Sequence, residues 1–207
     1  MVALSDQPPL SPEEFLAWEA QQAQRHEYLN GQVYGMSGGT LPHNAIAVNL
    51  VAGLRDWVRQ RKCRLYVNDA KVFISEKGPF FYPDLVVTCD PRDFNETQGL
   101  RHPCLIIEVL SPSTQAFDCS EKFRHHRKLD SLQEYVLVAS DRPTMDCYYR
   151  REPRIWEFES YGPPDPNGSA TIADLAALEF QLKSLDFKGP LAMVYEDIAF
   201  DLNSPPG

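Results

Sequence analysis

The chain has 207 residues, 43% hydrophobic and 24% charged, with a net charge of -9 at neutral pH. This balance supports one large globular domain, or a core with an appendage, and argues against a bulk electrostatic grip on nucleic acid, though a local basic groove stays open. No run approaches the roughly 18 apolar residues that span a membrane. The opening MVALSDQPPLSPEEF has neither a basic nor a long apolar segment, so no signal peptide is expected. The five cysteines, Cys63, Cys89, Cys104, Cys119 and Cys147, are odd in number, widely spaced and without a CxxC. Reduced thiols in a cytoplasmic protein are the expectation, rather than a disulfide framework or a zinc knuckle.

Neither an internal repeat nor a low-complexity region occurs. Ser11, Pro12, Glu13 and Glu14 read as a helix start, with a cap, a first-turn proline and acids at the positive end of the dipole. That helix is expected to run to Ala23. In HEYLNGQVYGMSG, Asn30-Gly31 predicts a tight hairpin turn. The longest helix is expected over 42–62, with Pro42 at its first position. Ala47, Leu50, Leu54 and Val58 recur there at helical spacing.

Strands are expected at 64–67, 70–75, 84–89 and 104–110, with a loop over 91–102. A helix fits 119–130, with Asp118 and Glu121 in a capping-box pattern. Further strands fit EYVLVAS (134–140), MDCYYR (145–150) and RIWEFESY from Arg154, followed by a turn or loop at GPPDPNGS. A short helix is expected near 189–196, and the tail NSPPG reads as frayed. The order points to an α/β (α+β) sandwich, a mixed central sheet flanked by helices, with extra hairpins.

Within PCLIIEVLSPST, Leu105, Ile106, Ile107, Val109 and Leu110 read as a buried central strand, yet Glu108 sits among them. A carboxylate there needs a partner. Tyr82-Pro83-Asp84 opens the strand before it. Asp84 and Glu108 on neighbouring strands can hold one hard divalent ion through oxygen, and such an ion polarises a phosphoryl oxygen and activates water. Other readings stay open. Asp84 also fits an ordinary turn residue, and Glu108 fits an ion pair with Arg101 or Lys122. Lys122 lies one helical turn after Asp118, on the same face, where it can orient an attacking water or simply sit in solvent.

The strings FYPDLVV, PCLIIEVLSPST, DCSEKF and LQEYVLV, with HEYLNGQVYGMSGGTLPHN, resemble a bacterial family of restriction-type endonucleases abundant in cyanobacteria. That family is a branch of the PD-(D/E)XK nuclease superfamily. The resemblance runs from Phe15 to Tyr195. It implies a restriction-endonuclease-like core and DNA phosphodiester hydrolysis dependent on magnesium or manganese. It places Asp84 at the Asp of the PD motif and Glu108 at the acidic position of the second motif. Leu110 stands where the lysine is expected, so the lysine role passes to Lys122 on the following helix. The carbonyl of Val109 is a further candidate metal ligand. Glu27 and His43 match family features as accessory residues, and each also fits a structural role. Asp118 fits a helix cap, a partner for Lys122, or both.

On this reading residues 1–207 form a single nuclease-like domain. Helix and hairpin occupy 11–40, the core 42–140 and a β-rich extension 141–200. Arg101, Arg124, Arg127 and Lys128 are candidate DNA contacts, or a solvated surface. GMSGGT lacks the lysine of a P-loop. His125 and His126 are adjacent, so they do not share a helix face, and Ser111 and Ser113 lack a nucleophile-elbow pattern. A homodimer would suit cleavage of both DNA strands. A catalytically inactive nuclease fold that binds nucleic acid or protein is the competing reading, favoured by the acidity and by Leu110.

Overall fold

The computed structural model describes residues 2–3, 8–36, 38–111, 115–164 and 171–200. Ser113, most of the GPPDPNGS loop and the tail NSPPG lie outside the described residues. In chain order the elements are β1 (Val2–Ala3), α1 (Pro12–Glu19), β2 (His26–Leu29), β3 (Gln32–Gly35), α2 (Leu41–Gln60), β4 (Arg64–Val67), β5 (Val72–Phe73), β6 (Phe80–Phe81), β7 (Leu85–Thr88) and β8 (Leu105–Leu110). There follow α3 (Gln115–Phe117), a π-helical turn (Asp118–Lys122), α4 (Phe123–His126), β9 (Glu134–Ala139), β10 (Met145–Glu152), β11 (Ile155–Tyr161), α5 (Ile172–Ala176), β12 (Glu179–Leu182) and β13 (Phe187–Pro190).

The central sheet is mixed, in the order β11-β10-β9-β8-β7-β4. Only β8 and β9 run parallel in it, and the helical segment 115–126 makes the crossover between them. Both faces of β8 are covered. Leu105, Ile107 and Val109 pack in a core with Ile46, Leu50 and Leu54 of α2. Ile106 and Leu110 join Leu137, Tyr135 and Phe123 on the other face. Burial on both faces is why LIIEVL reads as an unbroken apolar run. Each fully buried Leu, Ile or Val contributes about 1.5–3 kcal/mol.

A second sheet, β1-β3-β2-β6-β5, lies in the N-terminal half. Its hairpin turns at Asn30 and Gly31, both at positive φ, as a two-residue turn of the primed type demands. Phe15, Tyr28, Phe73 and Phe80 pack together there. The two-residue strand β6 was not expected from sequence, because its partners β2 and β5 are distant pieces of chain.

α1 begins as expected, with a reciprocal Ser11–Glu14 capping box, but ends at Glu19 rather than Ala23. α2 starts at Leu41, capped by Thr40, and buries Ala47, Leu50, Leu54 and Val58. The helix expected over 119–130 is corrected. Helical structure begins at Gln115, and Asp118 is not its cap. The preceding Phe117 already has helical angles, whereas a cap residue needs an extended backbone. The helix stops at His126, where Arg150 from β10 donates to the carbonyls of Arg127, Leu129 and Leu132. Those bonds tie β10 to the chain just past the helix, whose own last carbonyls accept from the Arg127, Lys128 and Leu129 amides.

The expectation of five reduced cysteines is also corrected. Cys63 and Cys89 form a disulfide. β4 and β7 pair antiparallel with Arg64 opposite Thr88, so the residues just outside that pair face each other. Sequence spacing carries no trace of that register.

Candidate active site

β7 and β8 pair with Leu85 opposite Ile107, which brings Asp84 level with Glu108 at one end of the sheet. Asp84 is held on both sides. Its carbonyl accepts from the Asn68 amide at 2.8 Å. Its Oδ2 accepts from the Val109 amide at 2.8 Å and lies 3.2 Å from His43 Nε2. The Asp84 amide in turn faces Glu108 Oε2 at 3.4 Å. Pro83 has no N–H for a ladder, and the first β7 residue that pairs with β8 is Leu85, so the Asp84 side chain is free to take the Val109 amide.

Lys122 reaches this end from the π-helical turn. Its Nζ lies 3.1 Å from Glu27 Oε1, 3.3 Å from Glu108 Oε1 and 3.3 Å from Asp118 Oδ1. Glu27 comes from β2 and is fixed by the Tyr82 amide, which donates to its Oε1 at 2.9 Å. All four of these side chains are buried. Of the two partners open to Glu108, the structure selects Lys122. Arg101 pairs instead with Glu76 and Glu96.

The electrostatics follow from this count. Burial opposes the Lys122 charge, but Glu108, Glu27 and Asp118 outweigh it and raise the lysine well above its ordinary value. Burial pushes Glu108 well up, and Asp118, Asp84 and Glu27 add to the rise against the opposing pull of Lys122. Glu27 is raised by burial in the same way. One ammonium thus serves several carboxylates, and the carboxylates are left short of positive charge. His43 is raised by its hydrogen bond to Asp84, with the Val109 carbonyl adding to the effect.

These residues line a cleft of about 240 Å³, which also takes in Met36, Asn44, Asn68, Tyr82 and Ser111. Tyr82 was missed in sequence. Its amide holds Glu27, and its hydroxyl donates to the buried Glu19 at 2.7 Å. Its place two residues before Asp84 was the available signal. Leu110 is buried in the apolar cluster on the Glu108 face of β8 and makes no polar contact at the cleft.

The basic candidates do not gather here. Arg101 and Lys128 line a different recess, beside Cys104 at the far end of β8. Arg124 is exposed and paired with Glu121, and Arg127 is exposed. His125 and His126 point into the interior rather than toward the cleft, and His126 packs between Phe81 and Tyr135.

The donor set suits a hard divalent ion. Asp84 and Glu108 supply carboxylate oxygens, the Val109 carbonyl is beside them, and the group has surplus negative charge. Among the described residues no cluster of three or more His, Cys, Asp or Glu forms a preformed metal cage. Magnesium does not need one, since it commonly binds through one or two carboxylates and keeps several waters.

The Uma2 family model, described as "Putative restriction endonuclease", matches residues 12–183. The chain belongs to the Uma2 family. Two Synechocystis relatives, the uncharacterized proteins slr1290 and sll1609, extend the likeness. The first is 36% identical over 193 residues, covering 93% of this chain and 95% of its own. The second is 31% identical over 149 residues, covering 71% of this chain and 84% of its own. A crystal structure of a "putative nuclease belonging to DUF820" from Anabaena variabilis superposes with a TM-score of 0.69 at 21% identity, over 90% of this chain and 97% of that one. The Uma2 chain therefore has a nuclease-like fold, with the mixed central sheet flanked by helices that its sequence predicted. No helix among its described residues is long and apolar enough to cross a membrane.

Proposed function

We propose that the protein is an endonuclease that hydrolyses DNA phosphodiester bonds, using magnesium or manganese held by Asp84, Glu108 and the Val109 carbonyl. The observation that carries this reading is Lys122, which reaches Glu108 from the following helical segment while Asp84 stands at the same end of the sheet. That position supports reading Lys122 as the counterpart of the lysine missing at position 110. When bound, the ion supplies Lewis-acid polarisation of a phosphoryl oxygen and acidifies a water.

The chain's own residues do the rest. Lys122 stays charged in a buried setting and offers fixed positive charge where the phosphate gains negative charge. Glu27 and Asp118 hold its ammonium in place. His43 and the Val109 amide hold Asp84 in one orientation. A homodimer would present two such clefts to a duplex. Arg101 and Lys128 take no part at this cleft.

The test is divalent-dependent cleavage of plasmid DNA by wild type, Asp84→Ala, Glu108→Ala and Lys122→Ala. Each substitution should lower the rate by about 100-fold or more. Cleavage undiminished from wild type in all three would identify a contaminant and end the assignment.

A second reading, an inactive nuclease fold that binds nucleic acid or protein, is favoured by the full commitment of the Lys122 ammonium to carboxylates. Calorimetric titration with magnesium separates the two. The endonuclease reading expects a binding site that Asp84→Ala abolishes, and the inactive fold does not require one.

A further inference from the structure

Three cysteines stand on adjacent strands at the end of the central sheet opposite the cleft. Cys63 precedes β4, Cys89 follows β7 and Cys104 precedes β8. Cys63 and Cys89 are joined, and Cys104 Sγ lies 3.7 Å from Cys89 Sγ, at van der Waals contact. Cys63 is buried while Cys89 is exposed. Cys89 and Cys104 both line the recess that holds Arg92, His102 and Lys128, so small reagents can reach them. The other free cysteines, Cys119 and Cys147, lie on the crossover segment and on β10.

We infer that these three residues form a thiol–disulfide exchange site, in which Cys104 attacks Cys89 and displaces Cys63. The Cys104 thiol loses its proton, and its sulfur electron pair forms the Cys104–Cys89 bond. The Cys63–Cys89 bond breaks, and Cys63 leaves with the pair and takes up a proton. One thiol and one disulfide stand on each side, so no oxidant or reductant is consumed. Attack falls on Cys89 because its sulfur is the one Cys104 touches. Burial pushes the Cys104 thiol up to about 11, which keeps thiolate scarce and the exchange slow. Exchange moves the covalent tie from the β4–β7 pair at the sheet edge to the interior β7–β8 pair. The site is independent of the nuclease reading, since it shares no side chain with the cleft.

Peptide mapping without reduction tests this. Wild type is held at mildly alkaline pH, quenched in acid, alkylated under denaturing conditions and digested. The expected result is a major Cys63–Cys89 cross-link, with a minor Cys89–Cys104 cross-link that carries alkylated Cys63. Cys104→Ser should retain the first and lose the second. Cys63→Ser treated with oxidised glutathione should gather the Cys89–Cys104 cross-link about tenfold over any linkage to Cys119 or Cys147. The wild-type arm stands alone should that variant fail to fold. A wild-type digest without the Cys89–Cys104 peptide, or one without the Cys63–Cys89 peptide, overturns the inference.

Discussion

Lys122 Nζ and Glu108 Oε1 lie 3.3 Å apart, both buried, although 14 residues separate them in the chain. The end of β8, α3 and the π-helical turn lie on the path between them. The pair resolves why a carboxylate sits inside LIIEVL. It also makes Lys122 the charge on which Glu27 and Asp118 depend.

Removing that charge should therefore cost stability as well as activity. Lys122→Met leaves three buried carboxylates without their cation, and breaking a buried pair on one side costs about 3–5 kcal/mol. Denaturant unfolding should read that loss. Glu108→Gln, by contrast, keeps an acceptor for the Asp84 amide and relieves the carboxylate surplus. Its stability should stay within about 1 kcal/mol of wild type. Its magnesium-dependent cleavage should nevertheless disappear.

Restoring the familiar motif in sequence should not restore it in space. Leu110 packs with Ile106 and Leu137 in a filled apolar cluster. Leu110→Lys is expected to destabilise by about 2–4 kcal/mol. Combined with Lys122→Ala, it should leave plasmid cleavage at the level of Lys122→Ala alone. Recovery of cleavage would show that the position can still serve the site.

His126 gives a pH signature. It is fully buried, and neither ring nitrogen makes a well-formed hydrogen bond to a described residue. Burial holds its imidazole well below the ordinary value of 6.5. A depressed folded value means the contribution is present above the unfolded value near 6.5 and is lost as pH falls below it. His126→Phe should remove that component, so the gain in Tm over wild type should be larger at pH 5 than at pH 8. His43, raised by Asp84, acts with the opposite sign and is common to both proteins. Equal Tm differences at the two pH values would show that folding leaves the His126 titration unchanged, against its burial.

The disulfide should be visible in the same measurements. Cys63 and Cys89 enclose a segment with a sequence separation of 26. Chain-entropy reasoning gives such a closure about 3 kcal/mol. Cys89→Ser should lower unfolding stability by roughly that amount. Added reductant should do the same to wild type and nothing further to the variant.

The sequence by itself determined features whose physics is local. Ser11 and Glu14 cap α1, Asn30-Gly31 turns the hairpin, and the apolar stripe of α2 faces a core, because each rests on neighbours within a turn of chain. Asp84 and Glu108 were legible as a pair because adjoining strand-like segments carried both, Lys122 was a candidate from its place one turn after Asp118, and the family resemblance gave it the role of the lysine missing at Leu110. Tertiary structure alone decided what depends on strand order and register. It brought Glu27 to Lys122 through the β2–β6 pairing, and it sent Arg101 and Lys128 to the far end of β8. It drew Asp118 into the helix, joined Cys63 to Cys89 and buried His126. Those contacts connect residues far apart in the chain, where short-range sterics and spacing place no constraint. Only the packing of α2 and the 115–126 crossover on the central sheet, with the strand register around it, does.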